Sequence, residues 1–245
     1  MNARILLAVA ARVLTQLRRD RRTVAMLLVL PCVLITLLWW MFQDLPGALF
    51  DRFGPGLLAM FPFIVMFLVT SVTTLRERGS GTLERLLAMP MGKLDFLGGY
   101  AVAFGVVATV QAALAVTLSV GVLGLDVVGP VWLLGLVAVV DAILGTALGL
   151  LVSAFARTEF QAVQFMPLFV IPQILLCGLF VPREAMPDVL SAISDVLPLS
   201  YATDAMKTLT TTAATGDVWQ DLAVVAGFAV AALALGAATL RRRTP

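Results

Sequence analysis

Residue types that could carry chemistry are scarce in this chain, and most of them lie in apolar surroundings. None of the 245 residues is histidine, which removes histidine general bases, histidine triads and histidine-ligated metals. Cys32 and Cys177 each lie within an apolar run, so neither a disulfide framework nor a metal cluster is expected. The G-x-x-x-x-G-K-[ST] phosphate loop is also missing from the sequence, so this chain is not expected to be an ATP-hydrolysing enzyme by itself.

Three polar side chains occur inside long apolar stretches. Asp141 is the only acidic residue deep in such a stretch, where a carboxylate costs about 2.5–3.5 kcal/mol at the centre of a membrane helix. At about 1.5 Å per helical residue, Gln111 and Gln173 come out at a similar depth. The three either form a polar layer that fixes helix packing or contact a substrate or a coupled proton. Gly145 and Gly149 follow Asp141 in a G-x-x-x-G spacing that predicts close helix packing.

The composition indicates that membrane helices hold these residues. The chain is 60% hydrophobic and 13% charged, with a mean hydropathy of +1.00, whereas soluble domains have roughly 25% charged residues. Its apolar runs are long and unbroken, which disfavours an outer-membrane barrel. The sequence predicts an all-α polytopic membrane protein that forms one domain over residues 1–245. Six spans are predicted, at about 24–43, 54–75, 97–122, 130–154, 160–181 and 219–240.

The basic residues predict that both termini lie in the cytoplasm. Most of the 17 basic residues fall before the first span, in the loop at 76–93, at Arg157 or at the C-terminus. The opposite loops contain Arg52, Arg183 and Lys207. Because basic residues are retained on the cytoplasmic side, we expect a multi-pass protein of the plasma membrane. The modest net charge of +2 hides this asymmetry and does not indicate a nucleic-acid partner.

Two segments outside the spans have apolar stripes with helical spacing. In the N-terminal segment 4–22 the stripe is Ile5, Val9, Val13 and Leu17. This pattern is typical of an amphipathic helix that lies along the cytoplasmic membrane surface. In the outer segment 182–218 the stripe is Leu190, Ile193, Val196 and Leu197. That segment is too polar to span, and we expect a re-entrant pair of short helices there, with a plain surface loop as the alternative.

The pattern of the loop between spans two and three predicts a short, sharply bounded helix on the cytoplasmic side. Its sequence is RERGSGTLERLLAMPMGK, residues 76–93. Glycines at 79 and 81 interrupt the preceding helix, Thr82 can cap a new one, and Pro90 ends it. Leucines at 83, 86 and 87 give the new helix an apolar stripe. Because so short a helix is marginal in water, it must dock against the membrane surface or another protein.

The stretch at 76–90 resembles the loop signature of ABC-2-type permeases, which are the membrane subunits of many ATP-binding-cassette exporters. Residues 197–206 (LPLSYATDAM) resemble the segment before the sixth span in the daunorubicin-exporter-like branch. The resemblance implies a coupling helix that docks on a separate nucleotide-binding subunit. Its residues would be Glu77, Gly81, Thr82, Glu84, Leu86, Leu87 and Pro90. The connection at 155–160 would be a second contact, with Arg157 and Glu159.

The same resemblance implies the assembly and the activity. Two permease subunits, identical or related, would work in the lipid membrane with two ATPase subunits that bind ATP and Mg²⁺, while this chain would bind no cofactor or metal itself. It would move an amphiphilic drug, antibiotic or lipid-like compound outward by alternating access. Spans two and five flank the pathway in that family. Candidate path residues are Phe63, Met66, Phe67, Gln111, Asp141 and Gln173.

Three alternatives stay open at this stage. Within the same class, the exported compound could be a polysaccharide, a glycolipid or haem. A secondary transporter could instead use Asp141 to couple transport to protons. A membrane-embedded enzyme would need a cluster of acidic, histidine or cysteine side chains at one depth, and Asp141 is the only acidic residue that the spans offer deep in the membrane.

Overall fold

The computed structural model describes residues 3–79, 93–156 and 158–239. These ranges fold into helices joined by short connections, with one turn of 3₁₀ helix at Arg183–Ala185. The α-helices in chain order are α1 (Ala3–Arg19), α2 (Arg21–Phe42), α3 (Leu49–Gly79), α4 (Lys93–Gly121), α5 (Val131–Ser153), α6 (Glu159–Leu176), α7 (Asp188–Ser194), α8 (Pro198–Thr211) and α9 (Gly216–Thr239).

Six of these helices are long and apolar enough to cross a bilayer: α2, α3, α4, α5, α6 and α9. This confirms the six predicted spans and the all-helical class. The two largest differences from the predicted boundaries are at the start of α3 and at the end of α6. Helix α3 starts at Leu49 because Asp51 is favourable in the first turn of a helix. Helix α6 ends at Leu176 because Gly178 adopts φ +79°, a left-handed conformation that ends helices.

The N-terminal helix α1 packs against α4. Val9, Val13 and Leu17 are buried, so the predicted apolar stripe faces the rest of the subunit. The approach is close because Gly99 has no side chain: a Cβ atom there would lie 2.6 Å from Cβ of Val9. The stripe therefore attaches α1 to the bundle, and the location of α1 along the membrane surface stays a prediction.

Helices α3 and α5 form the most extensive helix–helix contact of the described bundle. A Cβ atom at Gly145 would lie 2.4 Å from the carbonyl oxygen of Phe63, and one at Gly149 would lie 2.5 Å from that of Phe67. The G-x-x-x-G spacing thus brings the two backbones together within one chain, as small residues do in membrane helix pairs. Most side chains of the central parts of α3 and α5 are buried, whereas most of those in α2 and α6 face outward.

The outer segment is helical, in agreement with the sequence. After α6 the chain forms the 3₁₀ turn, the short helix α7 and then α8. Helix α8 is buried against α3 and α9 through residues that include Leu199, Ala202 and Met206. Its depth relative to the outer leaflet stays a prediction.

Arg183 connects the parts of this outer segment. Its Nη1 donates to Oδ2 of Asp204 at 2.6 Å, and its Nη2 donates to Asp195. The guanidinium also lies over the ring of Tyr201, 5.3 Å from the centroid. The Tyr201 hydroxyl in turn donates to the backbone carbonyl of Asp195 at 2.6 Å. One arginine therefore joins the 3₁₀ turn, the end of α7 and the middle of α8.

Burial makes this arginine necessary. Loss of solvent raises the pKa of the Asp204 carboxyl above its ordinary value, although Arg183 acts in the opposite direction. Partial burial also lowers the pKa of the Arg183 guanidinium, but its hydrogen bonds and the charges of Asp204 and Asp195 outweigh that effect and raise the pKa overall. At 2.6 Å from Oδ2 of Asp204, the guanidinium of Arg183 stabilises the charged form of this carboxyl and opposes the effect of burial.

Replacing Gly145 with alanine should destabilise the subunit, because the new methyl group would collide with the backbone of α3 rather than with a movable side chain. Overpacking of this kind costs about 1–3 kcal/mol. The matched control is Gly135→Ala in the same helix, where a Cβ atom meets nothing within 4 Å. Thermal unfolding in detergent, followed by tryptophan fluorescence, should show a lower Tm for Gly145→Ala only. Equal melting temperatures for the two variants would contradict this packing.

Replacing Arg183 with methionine should also destabilise the subunit, because it leaves Asp204 without its cation. Since the Asp204 side chain is 33% exposed, we expect a cost of about 1–3 kcal/mol rather than the larger value for a fully buried pair. Adding Asp204→Asn should recover part of the lost stability. The control is Arg52→Met, which removes an exposed arginine from the same side. The same melting assay measures all four proteins, and an Arg183→Met protein as stable as Arg52→Met would refute the assignment.

Candidate functional site

Along the chain, the residues predicted to contact an ATPase subunit fall between the last turns of α3 and the start of α4, and around the start of α6. Most of them lie outside the described residues: Gly81, Thr82, Glu84, Leu86, Leu87, Pro90 and Arg157. The backbone of Glu77 belongs to the last turns of α3. Glu159 is the member of the predicted set whose side-chain contacts are described.

Glu159 forms a two-pronged ion pair with Arg76 in α3. The Nε and Nη2 groups of Arg76 donate to Oε1 and Oε2 of Glu159 at 3.0 and 3.1 Å. Thr158 caps α6 by accepting from the N–H of Gln161 at 3.1 Å, which places Glu159 in the favourable first turn. The start of α6 is therefore attached directly to the end of α3.

A small apolar cluster accompanies the ion pair. Leu75, Ala156 and Ala162 are buried together, and Phe165 packs against them. The cluster joins the last turns of α3, the short connection after α5 and the first turn of α6. The two segments predicted to contact an ATPase subunit thus start from neighbouring points of the bundle.

Asp20 belongs to the same region. Its carboxylate accepts from the N–H of Thr23 at 3.1 Å and from the Thr23 hydroxyl at 2.6 Å, so it caps the start of α2. These hydrogen bonds lower the pKa of Asp20, and the charge of Arg76 lowers it further. The direct contact of Arg76 is with Glu159. From the sequence, Arg76 counted as a basic residue of the loop and as the first residue of the stretch at 76–90, without a partner, because a contact between residues so far apart along the chain leaves no local pattern.

The three polar residues predicted to share a layer are all buried, but separately. Gln173 donates to the carbonyl oxygen of Phe169 at 3.0 Å and accepts from the N–H of Leu199 at 3.4 Å, which connects α6 to α8. Within the described ranges, both carboxylate oxygens of Asp141 and both amide atoms of Gln111 are buried without a hydrogen-bond partner. No hydrogen bond joins the three among these residues, and their common role in transport stays a prediction.

The position of Asp141 follows from the packing of α5. Asp141 is one helical turn before Gly145, on the same face of the helix. Gly145 touches the backbone at Phe63 and Gly149 touches it at Phe67, so Asp141 comes level with the preceding turn of α3. An acidic side chain inside such a close contact is costly unless it has a partner or a proton. This makes Asp141 a residue to test for function.

The apolar candidates for the translocation path are packing residues in the described conformation. Phe63, Met66 and Phe67 are completely buried inside the subunit. Phe63 and Phe67 belong to the main core, and Met66 packs in the cluster that contains Tyr100 and Phe104. Their contribution to a path stays a prediction. It requires a movement of the helices, within this subunit or against a second subunit, that makes these side chains accessible.

Comparisons with known proteins agree with the architecture. Residues 4–209 match the family described as ABC-2 type transporter. The chain is similar to the probable multidrug ABC transporter permease YbhR of Escherichia coli (strain K12), with 32% identity over 169 residues, or 69% of this chain and 46% of that protein. It is also similar to the linearmycin resistance permease protein LnrN of Bacillus subtilis (strain 168), with 26% identity over 188 residues, or 73% of this chain and 48% of that protein.

The family-level resemblance inferred from residues 76–90 is confirmed, whereas the daunorubicin-exporter-like branch stays a prediction. This chain spans about half the length of the curated relatives that it matches. The match nevertheless covers most of the chain itself and coincides with five of the six membrane-length helices. The chain therefore belongs to the ABC-2 type transporter family.

Proposed function

We propose that this chain is the membrane subunit of an ATP-driven exporter in the plasma membrane, with both termini in the cytoplasm. The observation that carries the proposal is the ABC-2 match over residues 4–209, which includes the loop at 76–90. The positions of the basic residues support the orientation. Because the sequence contains no phosphate loop, ATP and Mg²⁺ would be bound by a separate ATPase subunit.

The geometry supports a route from the ATPase subunit to the spans. Helix α3 ends three residues after Arg76 and α6 begins at Glu159, so the described chain ends next to both predicted contact segments near the Arg76–Glu159 pair. An ATPase subunit that grips these segments would act on α3 and α6 together. Alternating access would then require α6 to move against the rigid α3–α5 contact. A second permease subunit, identical or related, would cover outward faces such as those of α2 and α6.

The proposed substrate is an amphiphilic drug, antibiotic or lipid-like compound. Two relatives are named as a multidrug permease and as a linearmycin resistance permease, which supports this class. Export of a polysaccharide, a glycolipid or haem is the alternative within the same mechanism. A proton-coupled transporter has one supporting observation, the buried Asp141 without a hydrogen-bond partner among the described residues.

The combined change Glu84→Ala and Leu87→Ala should weaken binding of the ATPase subunit by at least about tenfold, which corresponds to about 1.4 kcal/mol. It removes both the charge and the apolar contact of the proposed coupling helix. Co-purification and titration of the ATPase subunit against the full-length permease in nanodiscs measure the effect. The matched control, Glu184→Ala with Leu190→Ala, removes the same residue types from the outer segment. Unchanged affinity in the first variant would count against the pump.

The change Asp141→Asn should leave both complex assembly and ATP-dependent transport intact, because asparagine keeps the volume and polarity of the buried side chain. Efflux of a fluorescent amphiphilic dye from cells that express the complete complex measures transport, with and without collapse of the proton gradient. Asp126→Asn, outside the spans, is the control. Loss of dye efflux in an assembled Asp141→Asn complex would instead assign Asp141 to transport and favour proton coupling.

A further inference from the structure

Arg76 lies where two parts of the subunit meet. It is the last residue of the apolar part of α3, one turn before Gly79, where the described helix ends. Its guanidinium holds both oxygens of Glu159 at the start of α6. Beside this pair, Leu75 of α3 and Ala162 of α6 are buried in one apolar cluster. One side chain thus links the end of α3 directly to the start of α6.

Helix α6 makes its polar contacts with other elements near its two ends, and between them Val170 packs in the main core. At the cytoplasmic end it has the Arg76–Glu159 pair and the apolar cluster around Ala162. At the outer end, the Ser194 hydroxyl donates to the carbonyl oxygen of Leu176 at 2.7 Å, beside the contact between Gln173 and α8. Between these ends most side chains face outward.

The middle of α6 is adapted to bending. Pro167 and Pro172 both lie inside the helix. Each proline removes a backbone hydrogen bond and disturbs the preceding turn, so bending is easiest there. A helix that is held at its ends and weakened between them changes shape when one end is displaced.

We propose that Arg76 is a positioning residue for energy coupling: it sets the start of α6 relative to the end of α3, so that a displacement of the cytoplasmic end of α3 reaches α6. This inference rests on the proposed function, since the displacement would come from the ATPase subunit.

The type of residue supports this role. Arginine presents a planar fork that fixes both oxygens of a carboxylate, whereas lysine provides a single mobile charge. The two side chains are 62% and 48% exposed, and exposed ion pairs contribute little to overall stability. The pair is therefore suited to fixing the position of the start of α6 relative to α3 rather than to stabilising the fold.

The first measurement is of position and needs no ATPase subunit. Spin labels are placed at Met26 in α2 and Phe160 in α6, which are 63% and 72% exposed, in a full-length Cys32→Ser, Cys177→Ser protein in nanodiscs. We expect one narrow distance distribution, which Arg76→Gln or Glu159→Gln should broaden. Arg76→Lys should have an intermediate effect. The matched control Asp188→Asn removes a carboxylate from the outer segment and should change nothing.

The decisive variants reverse the pair. Arg76→Glu combined with Glu159→Arg should narrow the distribution again, because it restores a carboxylate–guanidinium pair between the same two positions. A merely destabilising effect of the single changes would not be rescued by the reversal.

The second measurement is ATP hydrolysis by the full permease–ATPase complex. Each single change should lower the rate by at most about fivefold, the limit expected from one exposed ion pair, and the reversed pair should restore it. Unchanged distances in the single variants, or a reversed pair that restores neither reading, would overturn the inference. If the unaltered chain binds no ATPase subunit, the proposed function fails, while the distance measurement still decides whether Arg76 positions α6.

Discussion

The close contact of α3 with α5 is the interaction on which the rest of the subunit depends. In a bilayer the hydrophobic effect does not drive helices together, so association relies on packing of surfaces that fit closely. Gly145 and Gly149 allow the backbone of α5 to touch that of α3. Around this pair, α4, α8 and α9 complete the core, while α2 and α6 remain at the periphery.

The charged contacts are placed at the two ends of this core. At one end Arg76 pairs with Glu159, and at the other Arg183 pairs with Asp195 and Asp204. Each arginine thus joins its own element to carboxylates of other elements, where water can solvate what the pairs leave exposed. The middle of the bundle contains small and apolar side chains instead, together with a few polar atoms that find no partner among the described residues.

This distribution separates a rigid part of the subunit from a movable one. At Gly145 and Gly149 the nearest atoms of α3 are the carbonyl oxygens of Phe63 and Phe67, so the α3–α5 contact cannot shift much there without backbone collisions. Helix α6 has few such restraints along its length and two prolines within it. In the proposed transport cycle, α6 would bend against a fixed α3–α5 pair, because the packing restrains α6 least. The ion pairs lie at the ends of the helices, where this movement would be transmitted.

The sequence by itself determined the helical class, the number of spans and the two amphipathic segments, because backbone groups in lipid must be satisfied within each helix and hydropathy records this along the chain. It also indicated that Gly145 and Gly149 form a packing site. Only the tertiary structure decided that α3 of the same chain occupies that site. It alone revealed the pairing of Arg76 with Glu159, since a contact between residues 83 positions apart depends on how the helices are arranged and not on any local pattern.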